Sequence, residues 1–292
     1  MGSEVAYRFA PIAYIQSPFK EKFGIPRQPG LIPAARGRVV FVPPYDDPAA
    51  LDGLEQCSHL WLQFVFHQNL QAGWQARVRP PRLGGNRRLG VFATRSSFRP
   101  NSIGLSVVRL DEISADPPGL SLAVSGLDLL DGTPVLDIKP YVPYADALSD
   151  ASNGLAPAPP QRVLRVEFAS DVVEWLEQTD PEGQLQGLIR EILAYDPRPA
   201  YKQGELQGQY GMRLLGYDIR WRMLGLLLRR CQAGRVIRTG RIGRHRDLGS
   251  RLRLQTKDRT AEEITQRQVG QQGQQNQMPQ EKEYQPSHLL NS

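Results

Sequence analysis

The chain has 292 residues, 40% of them hydrophobic and 23% charged, and a formal net charge of +6. This composition supports a folded core and excludes a collagen-like or wholly disordered protein. No run of 18 apolar residues is present, the first residues lack the pattern of a secretory signal, and the two cysteines, Cys57 and Cys231, stand far apart. We therefore expect a cytoplasmic protein without a membrane span, a disulfide framework or a cysteine metal cluster.

The positive charge is unevenly distributed along the chain. Residues 229–259 hold 11 Lys or Arg and two acids, a net +9, whereas the remaining 25 basic and 28 acidic residues sum to −3. Between Gln56 and Leu110 the chain contains eight arginines and no acid. If these arginines share one face of the fold, they form a positive patch suited to a polyanion.

The first 155 residues predict a mainly β domain. One short helix is expected between Asp47 and Cys57, with Asp47 as its N-cap and Pro48 in its first position. Many short strands, few helices and no βαβ alternation indicate a closed or nearly closed β-barrel. The β-rich runs, separated by turns that contain Pro or Gly, are residues 37–42, 61–66, 89–94, 103–110, 120–127 and 135–139.

A Pro- and Ala-rich linker at residues 152–161 separates this domain from a small α+β unit at residues 160–225. In that unit an alternating strand precedes a helix for which Ser170 is the expected cap, and Leu185–Tyr195 has the apolar period of a second helix. Residues 226–292 are basic without a clear period and then Gln-rich, which predicts a disordered tail.

Searches for common catalytic motifs are negative. The chain has no P-loop, no dinucleotide-binding glycine pattern after a strand, no HExxH and no GxSxG. His59 and His67 could share a face of one strand, but no third ligand accompanies them, so we expect no metal site.

Four short loops combine Pro and Gly with Arg, Asn or Asp, at residues 24–30, 80–86, 93–106 and 125–141. Proline restricts such loops, glycine permits unusual backbone angles, and the polar side chains can bind a ligand on the rim of a barrel. Taken singly, each loop could also be a plain structural turn.

Together, seven segments resemble the TrmO/TsaA family of S-adenosylmethionine-dependent tRNA methyltransferases. They are PRQPG at 26–30, CSHLW at 57–61, FVFHQ at 64–68, RPPRLGGN at 79–86, GVFATRSSFRPNSIGLS at 90–106, LDLLDGTPVLDIKPYVPYAD at 127–146 and DPRPAY at 196–201. The resemblance spans residues 8–222, and seven segments in one order are far more specific than any one of them.

The resemblance implies a single-sheet β-barrel of the TsaA type without a Rossmann sheet, a small C-terminal domain, and a homodimer. It implies methylation of the exocyclic N6 of threonylcarbamoyl-adenosine beside the anticodon, with a threonine tRNA as the expected substrate. Carried over by motif, the residues that would bind the methyl donor are Pro26, Arg27, Gln28, His67, Gln68, Arg95, Leu105, Ser125, Gly126, Leu127 and Asp128.

RNA contacts are expected from two sets of residues. The resemblance implies that the DPRPAY segment lies near the substrate base and helps to hold tRNA. The arginines between 77 and 88 are either a phosphate track or a solvated face. Arg99 could contact RNA or a second subunit, or it could tie loops together through backbone carbonyls. The residues of both sets are Asp196, Arg198, Tyr201, Arg82, Arg87, Arg88 and Arg99.

A carboxylate suits both the cationic sulfonium of the donor and the proton of the reacting nitrogen. Asp128, Asp131 and Asp137 lie within ten residues of one another. We take Asp128 or Asp137 as the candidate base, oriented by Lys139. The alternative is that Asp137 and Lys139 form a structural pair along a strand.

Two features depart from the family pattern. Ser102 replaces the second proline of RPNPIG, and after Trp221 and Arg222 an Arg-rich run replaces a strand. That run is either a basic RNA-binding extension or the product of a reading-frame change.

Two rival functions are a non-catalytic RNA-binding barrel, which would not bind the methyl donor, and a small-molecule methyltransferase, which would not bind tRNA.

Overall fold

The structure is a computed structural model that describes residues 6–80, 87–117, 119–199, 202, 203, 205, 207–227 and 234–244, with the backbone alone at 224–227 and 234–244. The N-terminal strands are β1 (Ala13–Gln16), β2 (Gly37–Phe41), β3 (His59–Val65), β4 (Arg77–Val78), β5 (Leu89–Gly90), β6 (Ile103–Ser114), β7 (Ser121–Ser125) and β8 (Pro134–Pro140). Six of them close an antiparallel barrel in the order β1-β2-β7-β6-β3-β8, and β4 and β5 pair separately. The predicted barrel is therefore confirmed.

The barrel wall follows the two-residue period of its strands. In β3, Leu60, Leu62 and Phe64 are buried, while the residues between them are half-buried. The side chain of each buried Leu or Phe stabilises the fold by roughly 1.5–3 kcal/mol relative to exposure. Gly104 of β6 lies opposite Phe64, where a Cβ atom would fall 2.2 Å from the ring, so any larger residue would force the buried Phe64 ring to move.

Two local predictions for this domain were wrong in detail. The helix expected between Asp47 and Cys57 is two 3-10 turns, Pro48–Leu51 and Leu54–Gln56, because Gly53 between them adopts a left-handed conformation with φ of +85°. Asp47 does cap the first turn, since its carboxylate accepts a hydrogen bond from the Ala49 amide at 2.9 Å. The expected strand at 89–94 is the short β5 followed by a 3-10 turn.

After helix α1 (Pro143–Asp146), the second domain contains β9 (Leu164–Phe168), α2 (Ser170–Thr179), α3 (Gln184–Ala194), β10 (Gln209–Leu214), β11 (Tyr217–Leu227) and β12 (Gly234–Arg244). Its sheet has the order β10-β11-β12-β9, and β12 runs parallel to β9. Leu185, Leu188, Ile189 and Ile192 form the buried face of α3, in agreement with the apolar period. The cap of α2 is Ala169, so Ser170 is the first helical residue rather than the cap.

The boundary expected at residue 226 differs from the structure. Strand β12 lies in the Arg-rich run that we expected to belong to the tail, and it pairs with both β11 and β9. The sheet therefore extends past residue 226. The rest of the tail predicted for residues 226–292, from residue 245 onward, lies outside the described residues.

The segment 17–36 between β1 and β2 links the two domains. Phe19, Ile32 and Ala35 are buried in the core of the second domain rather than in the barrel. The amide of Ala34 also donates a hydrogen bond to the carboxylate of Glu191 in α3 at 3.1 Å. The PRQPG loop is thereby fixed between the barrel and the α+β unit.

Candidate active site

A cleft of about 710 Å³ lies against one end of β3 and β6. This volume is within the usual range for a pocket that binds a small molecule. Its walls come from residues 22–28, 63–69, 94–105 and 128–133. Segments that are far apart in the sequence therefore meet at one place. Three of the four Pro- and Gly-marked loops contribute to it, and most of the fourth, residues 81–86, lies outside the described residues.

Most residues carried over for the methyl donor lie in this cleft, and one residue assigned to RNA joins them. The lining includes Pro26, Arg27, Gln28, His67, Gln68, Arg95, Leu105, Asp128 and Arg99. The remaining candidates for the donor and for proton transfer are absent from the lining, namely Ser125, Gly126, Leu127, Asp137 and Lys139.

Asp128 is the acidic residue of the cleft. Its carboxylate accepts a hydrogen bond from the hydroxyl of Ser106, which is fully buried in the barrel wall. Burial raises the pKa of Asp128 to about 6, against the opposing effects of the Ser106 hydrogen bond and the positive charge of Arg95. Asp128 can therefore exchange a proton near neutral pH, and its side chain lines the cleft.

Arg95 connects two of the lining loops. Its guanidinium donates a hydrogen bond to the side-chain oxygen of Gln28 at 2.7 Å. Arg27 of the same PRQPG loop reaches the second domain, where its guanidinium donates a long hydrogen bond to the carbonyl of Arg198 at 3.5 Å. Two guanidinium groups at the cleft provide a site for the carboxylate of a ligand.

His67 begins a 3-10 turn after β3 and lines the cleft. Burial lowers its pKa, and the nearby charge of Lys22 acts in the same direction. A neutral imidazole can donate at one nitrogen and accept at the other, which suits recognition of a polar ligand edge.

Sequence reasoning missed a small polar network on the same wall. Lys22 donates a hydrogen bond to the side-chain oxygen of Asn69 at 2.6 Å, and the Asn69 amide donates to the hydroxyl of Ser97 at 2.7 Å. Ser106 was also missed as a partner of Asp128. Ser97 and Ser106 stood inside the long GVFATRSSFRPNSIGLS segment, but nothing in the sequence distinguished them from its other polar residues.

Asp137 and Lys139 form an ion pair with each other at 2.8 Å, and both side chains are about half exposed. The Asp137 carboxylate also accepts a hydrogen bond from the amide of Ile138. This arrangement matches the structural alternative for the pair. Asp131 likewise pairs with Lys20 at 2.6 Å and accepts a hydrogen bond from the Ser17 amide, which ties down the loop after β1.

The turn at residues 125–127 directly precedes Asp128 and does not itself line the cleft. Leu127 is fully buried in the barrel core, and Ser125 donates a hydrogen bond to Asp111 at 3.1 Å. Gly126 has φ of +74° and its carbonyl accepts a hydrogen bond from the Gly30 amide, with a close approach of the two backbones. In the described conformation the three residues shape the wall and do not line it.

The expectation that Asp196 and Arg198 contact RNA disagrees with their placement. Both side chains are buried, at 1% and 0% exposure. The Arg198 guanidinium donates to the two Asp196 carboxylate oxygens at 2.7 and 2.8 Å and to the Glu205 carbonyl at 2.9 Å, and it lies over the Tyr210 ring. The pair is therefore part of the fold of the second domain. Tyr201 lies outside the described residues.

The arginines of the acid-free segment divide into two groups. Arg87 and Arg88 are exposed, and Arg82 lies outside the described residues. Arg99 instead donates hydrogen bonds to the carbonyls of Val91 and Thr94, at 3.3 and 2.8 Å. Arg99 thus ties its own loop together through backbone carbonyls, which was the alternative to the preferred RNA or subunit contact, and it also lines the cleft.

Among the described residues, no group of three or more His, Cys, Asp or Glu side chains is placed to hold a metal ion. In the same part of the chain, no helix combines the length and the apolar character needed to cross a membrane.

Comparison with known proteins gives consistent matches. The tRNA-methyltransferase O N-terminal domain model matches residues 14–147, and the TrmO C-terminal domain model matches residues 161–227. A putative S-adenosylmethionine-dependent methyltransferase RcsF of Pseudomonas aeruginosa is 53% identical over 226 residues, covering 74% of this chain and 93% of the relative. The tRNA (adenine(37)-N6)-methyltransferase of Escherichia coli is 50% identical over 220 residues, covering 75% and 94%.

Solved structures agree with these matches. A crystal structure of TrmO from Pseudomonas aeruginosa superposes with a TM-score of 0.65 at 44% sequence identity, covering 82% of this chain and 99% of the other. A second crystal structure of TrmO gives 0.64 at 42% identity, covering 83% and 100%.

Proposed function

The chain belongs to the tRNA-methyltransferase O family, and we propose that the cleft lined by the PRQPG loop and Asp128 is its active site. The protein is an S-adenosylmethionine-dependent methyltransferase that acts on N6 of an adenine in tRNA. The observation that carries the assignment of the site is the convergence of four distant segments on one cleft with a partly buried carboxylate.

The cleft residues fit S-adenosylmethionine. Arg27 and Arg95 suit the carboxylate of its amino-acid part, and the apolar side chains of Leu105, Leu129 and Leu130 suit the adenine ring. The Asp128 carboxylate suits the positive charge of the sulfonium. When bound, S-adenosylmethionine supplies an activated methyl group on its cationic sulfur.

The protein contributes mainly position and charge. Correct placement of two reactants can lower the barrier by roughly 7–11 kcal/mol. The Arg95–Gln28 hydrogen bond joins two walls of the cleft and holds their geometry. Asp128, rather than Asp137, is the proposed proton acceptor, because Asp128 lines the cleft and Asp137 is paired with Lys139. Such an acceptor contributes about 100- to 10,000-fold in rate.

The specific nucleoside that we propose as substrate is threonylcarbamoyl-adenosine next to the anticodon, in a threonine tRNA. The exposed arginines support an RNA partner, since Arg77, Arg79, Arg87 and Arg88 stand in a stretch without acids. The enzyme acts as a cytoplasmic homodimer. Leu70 and Trp74, which are 55% and 58% exposed, provide apolar surface for a second copy.

Isothermal titration calorimetry with S-adenosylmethionine tests the site. Wild-type protein is expected to bind, and Arg95→Ala and Gln28→Ala are expected to weaken binding. Lys139→Ala, outside the cleft, serves as the matched control and should bind normally. Loss of binding in Lys139→Ala but not in Arg95→Ala would place the donor elsewhere. A folded wild-type protein that binds tRNA and no donor would match the rival RNA-binding adaptor.

A further inference from the structure

An aromatic ring is exposed beside the cleft. Phe92, in the 3-10 turn Val91–Ala93, is 73% exposed, although neighbouring Val91 is only 1% exposed. Exposure of a large ring forgoes the stabilisation that burial would give. The ring is therefore a candidate contact for a partner.

Hydrogen bonds fix the turn that carries this ring. The Val91 amide donates to the Ala76 carbonyl at 3.0 Å, and the Val91 carbonyl accepts from the amide and the hydroxyl of Thr94. Arg99 donates to the carbonyls of Val91 and Thr94 as well. The backbone that carries the ring is thereby held in one place, so a partner that stacks on the ring meets a surface whose main chain is preorganised.

Arg99 connects the ring to the cleft. Its guanidinium carbon lies 5.5 Å from the centre of the Phe92 ring, and the same side chain lines the cleft. Arg95, which lies on the same loop as Ser97 and Arg99, also lines the cleft. The ring therefore stands beside the cleft in a segment with arginines and no acids, where a polyanion would be attracted.

We propose that Phe92 stacks on a nucleobase that neighbours the target adenine in a single-stranded loop of the tRNA. This inference rests on the proposed function. Proteins recognise single-stranded RNA loops by stacking unpaired bases on aromatic rings, often beside arginine. Arg99 behind the ring holds it and adds positive charge next to the backbone of the stacked nucleotide. Phe92 is thus a positioning residue for the substrate.

The test measures binding of an anticodon stem-loop RNA by fluorescence anisotropy. Loss of one stacked base corresponds to about 5- to 150-fold in affinity, so Phe92→Ala should raise Kd by that factor. Phe92→Trp should bind like wild type, whereas Phe92→Leu, which keeps an apolar side chain without an aromatic face, should remain weak. Tyr144→Ala removes an aromatic side chain that is 91% exposed and absent from the cleft lining, and should bind normally.

Three further readouts separate stacking from other roles. With 2-aminopurine beside the target adenine, wild-type protein should quench the fluorescence, and Phe92→Leu should not. The Kd for S-adenosylmethionine should be the same in all variants. Sedimentation velocity reports whether Phe92→Ala changes the oligomeric state.

Three results would overturn the inference. These are normal RNA affinity in Phe92→Ala, full affinity and quenching in Phe92→Leu, and conversion of a dimer to monomers by Phe92→Ala, which would make the ring a subunit contact. If wild-type protein binds RNA through Phe92 but methylates none, the proposed function fails and the stacking contact stands. If wild-type protein methylates tRNA and Phe92→Ala binds RNA normally, only the stacking contact fails.

Discussion

The hydroxyl of Ser106, buried in the barrel wall, donates a hydrogen bond to the carboxylate of Asp128 in the cleft. Hydrogen bonding favours the ionised form of Asp128, while burial favours the neutral form and prevails, which gives a pKa of about 6. Asp128 is therefore mostly ionised above this pH and mostly protonated below it.

Asp128→Asn should lower the rate of methyl transfer by about 100- to 10,000-fold, because it removes the proposed proton acceptor. In the wild type, only ionised Asp128 accepts a proton, so the rate should rise with pH through about 6 and then level off. Single-turnover rates measured well below saturation, which report the free protein, check this from pH 5 to 8. Asp137→Asn is the matched control and should be close to wild type; the reverse ranking of the two variants would assign the role to Asp137.

Ser106→Ala should shift the midpoint of the same pH profile to a higher pH. The hydroxyl stabilises the ionised carboxylate, so its removal raises the pKa of Asp128 further above its present value. At pH 6 the variant should then be slower than wild type, with recovery at higher pH. A profile that is lower at every pH but unshifted would indicate a packing defect instead.

Asp128→Asn should stabilise the free protein at neutral pH. The folded pKa of Asp128, about 6, exceeds the ordinary value of 3.8, so its contribution to stability is complete below 3.8 and is lost as pH rises through 6. This difference corresponds to at most about 3 kcal/mol. Urea unfolding of wild type and variant at pH 4 and pH 8 measures it, and a larger gain at pH 4 than at pH 8 would contradict the sign.

Arg198→Ala should destabilise the second domain by about 3–5 kcal/mol, because it leaves the buried Asp196 carboxylate without its partner. Denaturant unfolding with a probe on Trp175 or Trp221, both in or against the core of that domain, measures the loss. Arg165→Ala removes an exposed partner of Glu167 and should cost less than about 1 kcal/mol. Unchanged stability of Arg198→Ala with a specific loss of tRNA affinity would restore the RNA-contact interpretation.

Truncation should separate strand β12 from the rest of the basic segment. A chain ending at residue 225 loses β12, which bridges β11 and β9, so its second domain should unfold more readily. A chain ending at residue 245 keeps the whole sheet. Thermal unfolding compares the two chains. If residues 246–292 are a basic RNA-binding arm, the chain ending at residue 245 should also show weaker and less salt-sensitive tRNA binding than the full chain.

The sequence allowed the barrel and the position of α3 to be predicted, because strand alternation and apolar period are local patterns. The eight named donor residues that line the cleft came instead from the family resemblance of the seven ordered segments. Burial of Asp196 and Arg198 was not predictable, since a polar pair in a Pro-rich segment has the same composition as a ligand-binding loop. Likewise, Gly53 interrupts a helix that Asp47 and Pro48 favour, and only its left-handed backbone reveals the break. Strand β12 has no apolar period of its own and forms through pairing with β11 and β9.

The most direct test is mass spectrometry of tRNA nucleosides after incubation with the purified full chain and S-adenosylmethionine. We expect threonylcarbamoyl-adenosine to gain the mass of one methyl group with the wild-type protein, and to do so far more slowly with Asp128→Asn. Folded wild-type protein that leaves every nucleoside mass unchanged would contradict the assignment of this cleft to methyl transfer.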